Sequence, residues 1–179
     1  MNLKNTQKAL QAFSSNVERK AKANLKRKNK IASGDLYNSI KGDLKVNKNS
    51  FELFFNLSDY WEFVDYGVKG VGGTKADGSK WKLKKVTNNK FKYKDKKPPT
   101  IALNGWTIRK GIAPRDNSGR FTSRKGLLIA ITKSIYHTGL ETTSFFTRPF
   151  DIEFAKLEKN IVDSYALDVE NFLEFSLKE

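Results

Sequence analysis

Apolar residues recur at three- and four-residue steps near the start of the chain. Leu3, Leu10, Phe13, Val17, Ala21 and Leu25 fall on one face over residues 3–28, with Lys and Arg between them. This is the pattern of an amphipathic helix. Lys26, Arg27 and Lys28 place cations in its last turn, where the helix dipole favours them, and Ser33-Gly34 interrupts it. Asp35 to Ile40 then predicts a short second helix with Leu36, Tyr37 and Ile40 facing inward. The period changes to two over residues 43–57. Leu44, Val46, Phe51, Leu53 and Phe55 alternate with polar residues, which predicts two strands with one face on a core. Asn47-Lys48-Asn49 suits the turn between them. Tyr60 to Gly67 is dense in aromatics and reads either as a short helix or as a strand ending at Gly67.

Residues 68–125 lack a clear period. Gly70, Gly72, Gly73 and Gly78 lie among lysines, followed by Trp81-Lys82-Leu83-Lys84-Lys85 and Phe91-Lys92-Tyr93-Lys94. Pro98-Pro99 punctuates the segment, and Trp106 reads as buried. The expectation is a long basic hairpin or extended arm. Over 126–138 Leu128, Ile131 and Ile135 share a helical face, with Gly139 placed as its cap. Residues 142–150 read as extended, anchored by Phe145 and Phe146. A last helix is expected over 151–177, with a stripe of Phe154, Leu157, Ile161, Tyr165, Val169 and Phe172, widened by Leu173 and Leu177. The fold class that follows is α+β: a long N-terminal helix, a small antiparallel sheet and C-terminal helices packed on it. The expected organisation is a single domain over 1–179, with a lysine-rich insertion at 68–125.

Charge sharpens this picture. The 179 residues carry a formal net charge of +15, and such an excess points to a polyanionic partner. It is unevenly spread. Lys69 to Lys125 holds 17 Lys/Arg against 3 Asp/Glu, whereas Asp151 to the end holds 3 against 8. A positive middle and a negative tail invite head-to-tail packing between copies, although solvated surface is the plainer reading of a charge run. The start of the chain lacks the apolar stretch of a secretory signal. The longest apolar run, Leu127 to Ile131, is too short to span a bilayer. A soluble protein made in a cytoplasm is expected, with no membrane partner.

Enzyme chemistry has little to build on. There is no cysteine, which removes disulfides, thiolate metal sites and a Cys nucleophile. His137 is the single histidine, so zinc, HNH-type and Ser-His-Asp sites lose their basis. The glycine cluster before Lys80 fails as a phosphate loop, because Ser79 precedes the lysine and no apolar helix follows. Asp59, Glu62 and Asp65 lie close together in sequence, and Asp151 with Glu153 forms another pair, which suggests a magnesium-dependent nuclease, a weak reading without an ordered scaffold. No cofactor is expected. The alternation of lysine with Trp, Leu, Phe and Tyr over 81–94 supports a free nucleic-acid-binding protein, with rings stacking on bases and cations on phosphates. On a strand the same alternation is simply apolar-in, lysine-out.

Three segments, in this order, carry a resemblance. Ser33-Gly34-Asp35-Leu36-Tyr37-Asn38-Ser39-Ile40 contains a segment similar to the Gly-x-Leu-x-x-Ser-Ile that opens a second helix in tail-completion and head–tail connector proteins of tailed phages. Tyr60-Trp61-Glu62-Phe63-Val64-Asp65-Tyr66-Gly67 resembles that family's Tyr-x-x-Val-Glu-x-Gly element. Phe145-Phe146 leading to Arg148-Pro149-Phe150 resembles the aromatic-Arg-Pro segment that opens its last helix. The likeness covers about two-thirds of the chain, and the long basic segment departs from it. It implies a non-enzymatic virion subunit, located in the neck or tail and in the host cytoplasm during assembly. It implies a homo-oligomeric ring of 6 or 12 copies at the portal–tail junction, contacting portal or adaptor and tail proteins. Packaged DNA would pass through it without sequence-specific contact. In that setting Leu36, Ile40, Tyr60, Trp61, Phe63, Val64, Tyr66, Gly67, Phe145, Phe146, Arg148, Pro149 and Phe150 are fold or interface residues. Lys80, Lys82, Lys84, Lys85, Lys92, Lys94, Lys96 and Lys97 are candidates for contact with DNA backbone or an acidic partner.

Overall fold

The computed structural model describes residues 3–48, 50–87, 90–116 and 118–176. In chain order the elements are α1 (Lys4–Arg27), α2 (Asp35–Ser39), β1 (Lys41–Val46), β2 (Phe51–Asn56), α3 (Trp61–Tyr66), β3 (Val68–Lys69), α4 (Thr100–Arg109), α5 (Arg124–Thr138), β4 (Gly139–Leu140) and α6 (Thr147–Ser176). The fold is α+β. Where the sequence suggests one domain with an arm at 68–125, Cα packing groups the chain into two compact units. The first comprises 1–30, 35–58 and 145–179, and the second 31–34 and 59–144. The basic segment belongs to the second together with its flanks.

In the first unit the four-residue steps of α1 become its buried ridge: Phe13, Val17, Ala21 and Leu25 are each at most 5% exposed. That ridge packs against α6, and the two helices run antiparallel. Near the start of α1 the Asn5 and Thr6 N–H groups donate to the Asp168 carboxylate at 2.9 Å, as does the Thr6 hydroxyl at 2.8 Å. Fifteen residues along α1, Lys20 meets Glu153 at 2.5 Å. The residue preceding α1 is Leu3, which has no side-chain acceptor for the free N–H groups of the first turn. Asp168 supplies that acceptor from the other helix. The hairpin β1–β2 pairs Gly42 with Phe55, Leu44 with Leu53 and Val46 with Phe51. Its turn closes through the Asn47 N–H to the Ser50 carbonyl at 2.9 Å; Asn49 of the expected turn lies outside the described residues. α1 crosses this hairpin so closely that a Cβ on Gly42 would fall 1.8 Å from Ser14 Oγ. Phe55 fills the junction, with Phe13, Phe146 and Phe150 edge-on at 5.4–6.1 Å between centroids.

The first unit corrects three expectations. Val46 is 53% exposed because it sits beside the hairpin turn, past the end of the core. The last helix starts at Thr147, so the supposedly extended Arg148-Pro149-Phe150 forms its first turn, where proline's missing N–H costs nothing. Along that helix Leu157 is buried, but Phe154, Tyr165, Phe172 and Leu173 are 44–56% exposed. α1 is too narrow to cover the whole apolar surface of α6; Leu177 of that stripe lies outside the described residues.

In the second unit the open choice at 60–67 resolves to a helix. α3 ends at Gly67, whose φ of +75° suits glycine alone among common residues. β3 and β4 pair antiparallel through Val68–Leu140 and Lys69–Gly139. Their backbones approach so closely that a Cβ on Gly139, itself at φ +85°, would stand 2.4 Å from the Val68 carbonyl oxygen. The described residues between Gly70 and Pro99 are extended and irregular, but the segment ends in a helix. α4 occupies 100–109, within the region expected to be arm, and Pro99 immediately precedes it. α4 packs on α5, with the Arg124 guanidinium donating to Asn104 Oδ1 at 2.7 Å and Thr107 Oγ1 at 3.2 Å. Thr107 is fully buried, while Trp106 is only half-buried.

Candidate functional site

The eight candidate lysines lie on the extended part of the second unit, and all eight are exposed. The backbone beneath them is fixed by hydrogen bonds. The Trp81 N–H donates to the Gly73 carbonyl at 3.0 Å and the Lys84 N–H to the Thr138 carbonyl at 2.9 Å. Further along, Lys69 donates to the Phe91 carbonyl at 2.9 Å and accepts from the Tyr93 N–H at 3.0 Å. The alternating pattern therefore behaves as strand-like backbone does: Trp81, Val86, Phe91 and Tyr93 are half-buried and the intervening lysines point out, with Leu83 as the exposed exception.

The inward rings are occupied by other protein groups. Trp81 stacks on His137 at 5.0 Å between centroids, with planes 5° apart. Phe91 packs on Phe63 at 4.4 Å, and Tyr93 on Tyr136 at 6.0 Å. Burial pushes the Tyr93 phenol up from its ordinary pKa. His137 faces the Gly72 carbonyl through Nδ1 at 2.6 Å, so its proton on that nitrogen is a structural donor. Rings held in this way are poor platforms for stacking bases, whereas the lysines are open to phosphate. Among the described residues none of the eight lies within 4 Å of a carboxylate. Lys97 rests over the Tyr136 ring at 5.8 Å. Across the second unit 18 Lys/Arg face 7 Asp/Glu, a formal +11 of the chain's +15. Such a surface carries a positive long-range field that favours anions.

The carboxylates suggested for magnesium do not converge. Glu62 pairs with Lys90 at 2.7 Å, Asp65 is fully buried and Asp59 is exposed. Among the described residues no three His, Cys, Asp or Glu side chains are grouped to hold a metal. No helix among them is long and apolar enough to cross a membrane.

The three ordered segments are anchoring points of the two units. In the first, Leu36 and Ile40 are buried, and Ser39 Oγ accepts from the Ser58 N–H at 2.9 Å, tying α2 to the end of β2. In the second, Val64 and Tyr66 accept hydrogen bonds at 2.6 Å from the hydroxyls of Thr143 and Thr142. The Asp65 carbonyl accepts from the N–H groups of Thr143 and Ser144 at 3.0 and 2.9 Å. The last turn of α3 thus has its carbonyls capped from 76–79 residues away. Tyr60 and Phe63 remain 43% and 44% exposed at this helix, with Trp61 half-buried. In the third, Phe145 and Phe146 are buried, Pro149 is buried, Phe150 stacks on Phe154 at 5.7 Å, and Arg148 is exposed. The sequence reading missed Thr142, Thr143 and Asp168, whose only signal was a hydroxyl or carboxylate on an otherwise ordinary polar position. Compared with protein-family profiles, curated proteins and solved structures, the chain matches none. The fold and surface define an α+β protein with a cationic unit and a long helix carrying unburied apolar side chains.

Proposed function

We propose that this chain is a structural subunit of a tailed-phage neck, forming a homo-oligomeric ring at the portal–tail junction through which DNA passes. The observation that carries the reading is the ordered set of segments at 33–40, 60–67 and 145–150, each anchoring the fold through buried residues or backbone caps. Two surface properties support it. A ring subunit needs unburied apolar area for its neighbours, and α6 carries such area. A DNA conduit benefits from cations that contact backbone without reading sequence, and the eight exposed lysines have that character. Portal or adaptor and tail proteins are the neighbours this position implies, and virions the location. Imaging of purified particles with a labelled copy tests the proposal: density at the neck is expected, and absence of the protein from virions overturns it.

A second reading, a free nucleic-acid-binding protein, rests on the +11 of the second unit. Its outward lysines favour backbone contact, while its inward rings disfavour base stacking. Tight, salt-sensitive DNA binding by the isolated chain, together with absence from virions, would select it.

A further inference from the structure

The stripe by which α6 packs on α1 does not stop where α1 stops. The first turn of α1 meets Asp168, and α6 runs on through Ser176, about two turns further. Every side chain from Glu170 to Ser176 is exposed, with Phe172, Leu173 and Phe175 at 44%, 54% and 63%. One step round the helix, Val162, Tyr165, Val169 and Leu173 follow at intervals of three and four residues. That is the spacing of a ridge that fits another helix's groove. Val162, Tyr165 and Leu173 are 63%, 50% and 54% exposed and Val169 is half-buried, so among the described residues most of this ridge is uncovered.

The charges around the ridge restrict what can cover it. Glu158, Asp163, Glu170 and Glu174 accompany it, with Lys159 as the single cation between Glu158 and Ser176. Two copies of the ridge face to face would oppose like charges. The chain itself carries a surface of the complementary kind. α4 and α5 contain no Asp or Glu, while Arg109, Lys110, Arg124, Lys125 and Lys133 lie on or beside them. Exposed apolar residues stand among these cations: Ile101 at 88%, Ile108 at 59% and Ile129 at 54%. Ile101 and Ile108, seven residues apart, share one face of α4.

We propose that the distal half of α6 from one copy docks onto the α4–α5 pair of a second copy, as a head-to-tail contact. This rests on the ring reading and specifies its interface: a heterologous contact closes into a ring when its rotation permits. Acidic flanks on one side and cations on the other set the register, and added salt weakens the contact.

The absence of cysteine allows a direct test on the full chain. Leu173→Cys and Ile108→Cys are made separately, mixed and mildly oxidised. A disulfide between the two variants is expected, with neither variant linking to itself. Self-linking of Leu173→Cys, or a link within a monomer carrying both changes, overturns the proposal. Sedimentation supplies the second arm. Leu173→Asp with Phe175→Asp, both at exposed positions, is expected to convert oligomer to monomer without changing the circular dichroism spectrum. Glu170→Lys with Glu174→Lys is expected to weaken association, and Arg109→Glu with Lys110→Glu in the partner copy to restore it. A wild-type chain that sediments as a monomer and gives no cross-link overturns the docking. Neck rings that persist unchanged with the Asp variants overturn the docking and leave the ring reading standing. Absence from virions with cross-linking intact defeats the ring reading and leaves the docking.

Discussion

Asp168 shows how one side chain joins two ends of the chain. Its burial opposes ionisation, but the N–H groups of Thr6 and Asn5 and the Thr6 hydroxyl stabilise the carboxylate and hold its pKa below the ordinary value. The hydrogen bond from Lys20 likewise holds Glu153 below its ordinary value. A depressed carboxylate contributes stability that is present above its unfolded pKa of about 4 and is lost as pH falls through the folded value. Acid titration of thermal stability should therefore show a decline beginning near the ordinary carboxylate range. Asp168→Asn should flatten that decline, while Asp168→Ala should cost about 1–2 kcal/mol at neutral pH in urea denaturation, as for a lost N-cap. At Gly139 the constraint is backbone alone. Gly139→Ala should lose about 1–3 kcal/mol from a positive φ combined with an extended ψ, and more from the 2.4 Å approach to the Val68 carbonyl; denaturation midpoints would measure the sum.

Elements in this protein are often finished by residues outside them. α3 is six residues long, too short to persist alone. Its last carbonyls are capped by Thr142 and Thr143, so the pair acts as a clasp between two distant stretches. Thr142→Val with Thr143→Val keeps the side-chain shape and removes the donors. Each orphaned carbonyl should cost about 1–3 kcal/mol, and hydrogen exchange should rise first at α3, β3 and β4. The lysine-bearing segment makes the opposite point, because its backbone is pinned and its side chains are not. Replacing Lys82, Lys84, Lys92 and Lys94 by Glu should leave the circular dichroism spectrum unchanged. The same change should weaken DNA binding and lower the salt slope by about 0.9 for each phosphate that is no longer neutralised. An unchanged slope in a filter or anisotropy titration would show that these cations do not meet phosphate.

At the scale of the whole molecule the charge follows the two units. The first holds 16 Lys/Arg against 12 Asp/Glu, a formal +4, and the second holds +11. Anion binding is thus expected to travel with the second unit, while acid sensitivity through Asp168 and Glu153 travels with the first. Association between copies should fall as ionic strength rises, since the proposed contact opposes an acidic helix to a cationic pair. Sedimentation across a salt series would follow this.

Much of this was written in local pattern. Phe13, Val17, Ala21 and Leu25 are buried as their spacing requires, because a helix brings every fourth residue to one side whatever it packs on. The alternation across Leu44, Leu53 and Phe55 determined the hairpin and its faces for the same reason. Gly139 announced the end of α5 through its backbone freedom. What local pattern does not contain is the identity of the neighbour. α4 was hidden because Ile101 to Arg109 has little amphipathic contrast and follows a proline pair that reads as arm. The stripe of α6 was legible, but that α1 covers only part of it depends on where α1 begins, at the turn capped by Asp168. The lysine row at 80–97 was visible in the chain, yet whether its rings faced nucleic acid or protein was settled by Phe63, Tyr136 and His137, which only folding brings beside them. Sequence alone determined the long amphipathic helices and the hairpin, since their periods are properties of the backbone. The tertiary structure decided which faces remain open, since cover is a property of the partner.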